Sequence, residues 1–163
     1  MTDFETVVKV RGYHEDRFGH VNNARYLEFL EEGRWDYLDR RGPQGGFHVL
    51  GVFPVVAHLS ILYRRPAVAG DMLRITTCVS EAGSRKLVMH QEIHQVESNK
   101  LCCEADVGIV LVDADTGRPV IFKEAILHAW PDLRSVRVEP KAEQDDEDKR
   151  SATTRTRRGR NHA

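Results

Sequence analysis

Between His14 and Asn23 the chain crowds His14, Glu15, Asp16, Arg17, His20, Asn22 and Asn23 together, and a helical pattern begins at once. These residue types allow two readings. In one, a polar loop leads into a helix and an asparagine caps it. In the other, the loop is a site. A carboxylate can take a proton from water or attack an electrophilic carbon. The first N–H groups of a helix lack internal partners and sit at the positive end of its dipole. They suit an oxygen that gains negative charge. The readings are compatible, because one side chain can cap the helix while a neighbouring N–H stays free. Gly19 would permit a tight turn between the two halves of the loop.

The helix that follows, "ARYLEFLEEGRWDYL", sets Tyr26, Leu30, Gly33 and Tyr37 on one stripe with Leu27 and Leu38 beside it. Glu28, Glu31, Glu32, Asp36 and Asp39 point elsewhere, towards solvent or a partner. Asn22 or Asn23 is the N-cap. Arg40 and Arg41 suit the negative C-terminal end, and Gly42-Pro43 stops the helix.

The rest of the pattern has period two. Val8 and Val10 alternate with Lys9 and Arg11 in a first strand. After a Gly-rich loop, Ala57, Leu59, Ile61 and Tyr63 share a face of a long strand ending near Pro66. "GDMLRITTCV", "RKLVMHQEIHQV" and "LCCEADVGIVLVD" follow, the last with Cys103, Ala105, Val107, Ile109 and Leu111 on one face. "VIF" reads as a short last strand and "KEAILHAW" as a final short helix. Short connections predict an α+β fold: an antiparallel sheet of five to six strands with one long helix on one face. The other face then needs cover, which predicts at least a homodimer, with strands of two subunits continuing one sheet.

Composition excludes several classes. The chain has 163 residues, 40% of them hydrophobic, and a formal net charge of −1. No global field draws nucleic acid, and no apolar run approaches a membrane span. "MTDFETVVKVRG" has no secretory pattern, and the three cysteines form no C-x-x-C pair, which predicts a reducing cytoplasm. From Glu139 the chain is charged and almost free of apolar residues, so residues 1–138 are expected to form the domain and 139–163 a disordered tail. Its basic end, "RTRRGR", is a weak signal for RNA. His90 and His94, four apart on a strand, do not form a close pair, and with His58 they make no expected metal site. Cys102 and Cys103 should point to opposite faces of their strand, as filler.

The stretches "VKVRGYHEDRFGHVNNARYLEFLEEGRWD" and "LYRRPAVAGDMLRITT" resemble the hotdog-fold acyl-CoA thioesterases of the 4-hydroxybenzoyl-CoA thioesterase type. Among them the likeness is greatest to the bacterial long-chain acyl-CoA thioesterase III group, and it covers most of residues 5 to 125. The resemblance implies a sheet wrapped around the long helix and hydrolysis of fatty acyl-CoA, medium to long chains favoured, without metal or cofactor. It implies that Asp16, three residues before Gly19, is the base or nucleophile, and that the backbone N–H of Asn23 polarises the thioester carbonyl. His20 would position water or hold the network. Some hotdog thioesterases carry the carboxylate on the helix, where Glu31 is the candidate, but its polar-face placement argues against it. An acyl chain needs an apolar tunnel, for which Tyr26, Leu30, Val56 and Leu59 are candidates. Coenzyme A phosphates favour Arg64, Arg65, Arg85 and Lys86. A homodimer or homotetramer in fatty acid metabolism is expected. The alternatives are an acyl-carrier-protein thioesterase and a non-catalytic acyl-binding module; a dehydratase motif is missing.

Overall fold

Gly33 marks the point where helix and sheet come closest. A Cβ there would stand 2.7 Å from Ile75 Cγ2 and 3.3 Å from Thr77 Oγ1. The glycine costs the helix about 1 kcal/mol in propensity, and that cost is offset by the close seat it allows over the middle of the sheet. A computed structural model describes residues 4–136. The proposed tail, 139–163, lies outside the described residues.

The helix α1 spans Asn23–Arg41, with Asn22 as its N-cap: Asn22 Oδ1 accepts the Ala24 N–H at 2.9 Å. Five strands follow the expected antiparallel plan: β1 (Phe4–Lys9), β2 (Val52–Tyr63), β3 (Met72–Ala82), β4 (Lys86–Gln95) and β5 (Leu101–Asp113). Their order across the sheet is β1-β3-β4-β5-β2. The helix rests against β1 and β3. Its buried row of Tyr26, Phe29, Leu30, Gly33, Tyr37 and Leu38 meets the inward rows of the strands. Near the helix start these are Leu73, Ile75, Ile93 and Ala105; near its end they are Val79, Leu87, Met89 and Ile109. Two short helices, α2 (Glu124–Ala129) and α3 (Asp132–Ser135), close the far end of α1. There Trp130 is fully buried beside Tyr37 and Phe47, and the Tyr37 hydroxyl donates to Asp132 Oδ2.

Four expectations change. "VIF" is not a sixth strand: only Pro119 bridges β5, at Val112, and a proline has no N–H to extend a ladder. Ala57 does not share the inward face with Leu59. A β-bulge between Val56 and His58 shifts the register, so Val52, Pro54 and Val56 continue the row of Leu59, Ile61 and Tyr63, and Ala57 is exposed. Cys102 and Cys103 are not on opposite faces. A second irregularity, opposite Ile93 and His94, buries both, and burial pushes the Cys103 thiol up to about 12, so it is no thiolate nucleophile. Finally, the outer face of the sheet needs little apolar cover. It carries its own pairs, His90 with Asp106, Arg64 with Glu104 and Arg74 with Glu5. The uncovered apolar surface lies on β2 instead. This twelve-residue edge strand exposes Phe53, Val55, Val56, Leu62 and Tyr63.

Candidate active site

The polar crowd before α1 is a tight loop closed by its own backbone. Glu15 and Val21 bridge antiparallel. The Asp16 N–H donates to His20 O at 2.8 Å, and the Gly19 N–H to Asp16 O at 3.0 Å. Gly19 has φ +73°, a left-handed value that a side chain would strain. The loop is fixed from outside as well. The Val21 N–H donates to Ala67 O, and Glu15 Oε1 accepts the Ala69 N–H at 2.7 Å. Tyr26, one turn into α1, accepts the Ala67 N–H through its hydroxyl. Burial pushes that phenol up to about 12, so it remains neutral at any working pH.

Within this frame Asp16 is oriented and still partly free. Its Oδ1 accepts the Phe18 N–H at 2.8 Å; the other oxygen has no hydrogen bond among the described residues. At the helix start the Ala24 N–H goes to Asn22 Oδ1 and the Arg25 N–H to Asn22 O. The Asn23 N–H has no acceptor among the described residues, and its carbonyl accepts the Tyr63 hydroxyl at 3.1 Å. Asp16, His20, Asn23 and Tyr26 line one cavity of about 250 Å³ together with Tyr63 and Arg65. A residue with a carboxylate oxygen free of hydrogen bonds and a residue with an unpaired helix N–H therefore border one space of about 250 Å³. Such a pair can activate a nucleophile and bind an oxyanion.

The other candidates separate. Arg64 and Arg65 border this cavity. Arg64 is held by Glu104, so a phosphate would compete with that carboxylate, whereas Arg65 has no ion pair among the described residues. Arg85 and Lys86 lie elsewhere: Lys86 pairs with Val110, while Tyr63, at the cavity, pairs with Cys103 at the other end of β5. The chain does not bring them to this cavity. Val56 and Glu31 line a different cavity, between α1 and β2. His20 contributes its carbonyl to the loop, and its ring makes no hydrogen bond among the described residues. No cluster of three or more metal-ligating side chains occurs among the described residues. Sequence reasoning missed Phe18, Tyr63 and Pro66 as cavity walls. Tyr63 and Pro66 come from the end of β2, far along the chain, and no local signal marks them.

His14 locks the loop and carries a test. It is buried, its Nδ1 accepts the Arg11 N–H at 3.0 Å, and its ring packs edge-on against Phe29. Burial, reinforced by Arg25, lowers its pKa below the ordinary 6.5. A histidine lowered on folding binds fewer protons folded than unfolded, so its contribution is present above pH 6.5 and is lost as pH falls through the folded value. Thermal melts of the wild type should therefore lose more stability between pH 7 and pH 5 than melts of a His14→Gln variant. Parallel losses in the two proteins would refute this role.

The chain shows the following likenesses. Residues 10–130 match the family model described as the thioesterase-like superfamily. The long-chain acyl-CoA thioesterase FadM of Escherichia coli K12 is 39% identical over 119 residues, 73% of this chain and 90% of that protein. The acyl-CoA thioesterase YbgC of Haemophilus influenzae is 30% identical over 129 residues, 77% of this chain and 93% of that protein. Among solved structures, YbaW, a probable thioesterase from Escherichia coli, superposes with a TM-score of 0.73 at 34% identity, covering 79% of this chain and 97% of that one. With a five-stranded antiparallel sheet laid around one long helix, and a carboxylate loop at that helix's start, the chain belongs to the thioesterase-like superfamily of hotdog-fold thioester hydrolases.

Proposed function

We propose that this hydrolase cleaves medium- to long-chain fatty acyl-CoA to the free acid and coenzyme A. One observation carries the reading: Asp16, with one oxygen free of hydrogen bonds, and Asn23, whose N–H has no acceptor among the described residues, line the same cavity. The thioester carbonyl oxygen lies towards the Asn23 N–H, and its carbon faces Asp16. Asp16 takes a proton from water as the water attacks, or attacks the carbon itself and is released by water from the anhydride. In both routes the carbonyl oxygen becomes an oxyanion at the positive end of α1. The C–S bond then breaks, and the thiolate takes the proton held by Asp16 in the first route or a proton from water in the second, where another water afterwards opens the anhydride. Gly19 shapes the turn, His20 borders the reacting space, and Arg65 faces the coenzyme A phosphates more freely than Arg64. The acyl-CoA thioesterases FadM and YbgC carry out chemistry of this kind.

A thiol-release assay over a ladder of acyl-CoA chain lengths tests the proposal. Turnover that rises from short to long acyl groups is the expected result. Hydrolysis confined to acyl-carrier-protein esters, or no hydrolysis at all, would overturn it.

The same reading places the protein in the cytoplasm, where its three cysteines stay reduced, and makes it a homo-oligomer. No described helix is long and apolar enough to cross a membrane. The support for oligomers is β2, a long edge with exposed apolar residues, the kind of edge that natural proteins pair or blunt. Exposed Phe18, at 70%, and Trp35 extend the uncovered surface along the loop and α1. An Ala57→Lys substitution, the charge that natural edges use, should shift light-scattering mass towards the monomer. An unchanged mass would place the interface elsewhere.

A further inference from the structure

Arg34 is the one arginine on the buried side of α1. It is 8% exposed, and its Nη1 donates to Gln91 Oε1 at 3.0 Å. Gln91 is fully buried, and its amide donates to Leu30 O and Thr77 Oγ1, so the orientation of the guanidinium is set from below. No carboxylate lies within ion-pair distance of Arg34 among the described residues. Burial lowers its pKa from the ordinary 12.5 and the charge of Glu31 opposes that shift; an arginine so placed is still a cation. Its remaining N–H donors have no acceptor among the described residues.

Arg34 and Glu31 line a cavity of about 200 Å³ whose other walls are apolar, among them Trp35, Val56 and Ile109. The two charged groups share this space without pairing. Among the described residues the Glu31 carboxylate makes only a long contact of 3.4 Å with Trp35 Nε1. Trp35, Leu38 and Pro54 continue into a further recess of about 550 Å³. Both cavities lie between the same two elements: Tyr26 of α1 and Tyr63 of β2 line the catalytic one, and Trp35 of α1 and Val56 of β2 line this one. From Asn23 to Arg34 the helix rises ~16 Å, which an extended chain of about a dozen carbons spans.

We propose that the cavity between α1 and β2 receives the far part of the acyl chain, and that Arg34 and Glu31 together recognise a hydroxyl group on it. The inference rests on the thioesterase reading above and names a substrate class for it: acyl-CoA hydroxylated far from the thioester. A hydroxyl accepts from Arg34 and donates to Glu31, so it satisfies both groups across the gap. A terminal carboxylate would meet the Glu31 charge, and a ketone has no proton to give it. A plain hydrocarbon leaves a desolvated cation without a further partner, which is the unfavourable case.

The test compares acyl-CoA substrates of one chain length, unsubstituted, hydroxylated about a dozen carbons from the thioester, or carboxylated at the end. The expected ratio of kcat/KM, hydroxylated over unsubstituted, is about tenfold or more in the wild type. It should fall towards one in Arg34→Met and in Glu31→Leu. Glu31 is exposed, so the second variant folds even if the first does not. A wild-type ratio near one, or a ratio kept by both variants, or a preference for the carboxylated chain, overturns the inference. If the unsubstituted thioester turns over without any preference, only this inference fails. If no acyl-CoA turns over, the thioesterase reading fails and this falls with it.

Discussion

Asp16→Asn is expected to lower kcat for acyl-CoA hydrolysis by about two to four orders of magnitude, with KM and melting temperature close to wild type. The asymmetry follows from the two oxygens of the carboxylate. Oδ1 has a structural task, accepting the Phe18 N–H, and an asparagine oxygen can do the same. The second oxygen is where the chemistry lies, and in asparagine it becomes an NH2 that neither takes a proton nor attacks. The loop is further held by backbone bonds from Asp16 to His20 and from Val21 to Ala67, which the substitution does not touch. Stopped thiol release and a thermal melt on the same preparation check both halves. A folded variant with near-normal turnover would remove Asp16 from the mechanism. His20→Gln makes a useful contrast: its carbonyl remains to accept the Asp16 N–H, so only a role of the ring would lower the rate.

What was legible in the sequence was local. The Asp16-to-Gly19 turn, the asparagine cap and the apolar stripe of α1 are written within a few residues of where they act, and the structure carries all three. The strands were legible as alternation, and alternation hides bulges. A single extra residue at Ala57 reverses the facing of everything on one side of it, yet the pattern on either side still looks regular. The same holds at Cys102, which the sequence presents as one member of an alternating pair and the structure buries beside its neighbour. Non-local pairings were not legible at all. Tyr63 reaches the carbonyl of Asn23 from forty positions away, and Gln91 meets Arg34 from fifty-seven. One signal was available and unread. Arg34 lies between Leu30 and Tyr37 on the buried stripe, and a charge in an apolar row implies a partner beneath it.

That partner gives the second large effect. Gln91→Leu is expected to destabilise the protein by about 2–3 kcal/mol, the scale of a buried hydrogen bond to a charged group. Two opposing effects decide the size. Leucine at this site would gain apolar burial and shed a polar amide, which by itself favours the variant. Against this, the Arg34 guanidinium loses its hydrogen bond to Gln91 Oε1, and Thr77 Oγ1 loses the amide donor. Breaking a fully buried charged pair can cost about 3–5 kcal/mol. Arg34 also borders a cavity, where water can reach its other donors, so the lower figure governs. The shift in Tm should be roughly 10 °C for a domain of this size, read by calorimetry or by circular dichroism. The decisive measurement is the double-mutant cycle with Arg34→Met. If the penalty is that of a stranded cation, removing the cation as well recovers part of it, and the double variant is more stable than the sum of the single losses predicts. Strict additivity would mean that Gln91 supports the helix through Leu30 O and Thr77 alone, and that the guanidinium depends on something other than the sheet beneath it.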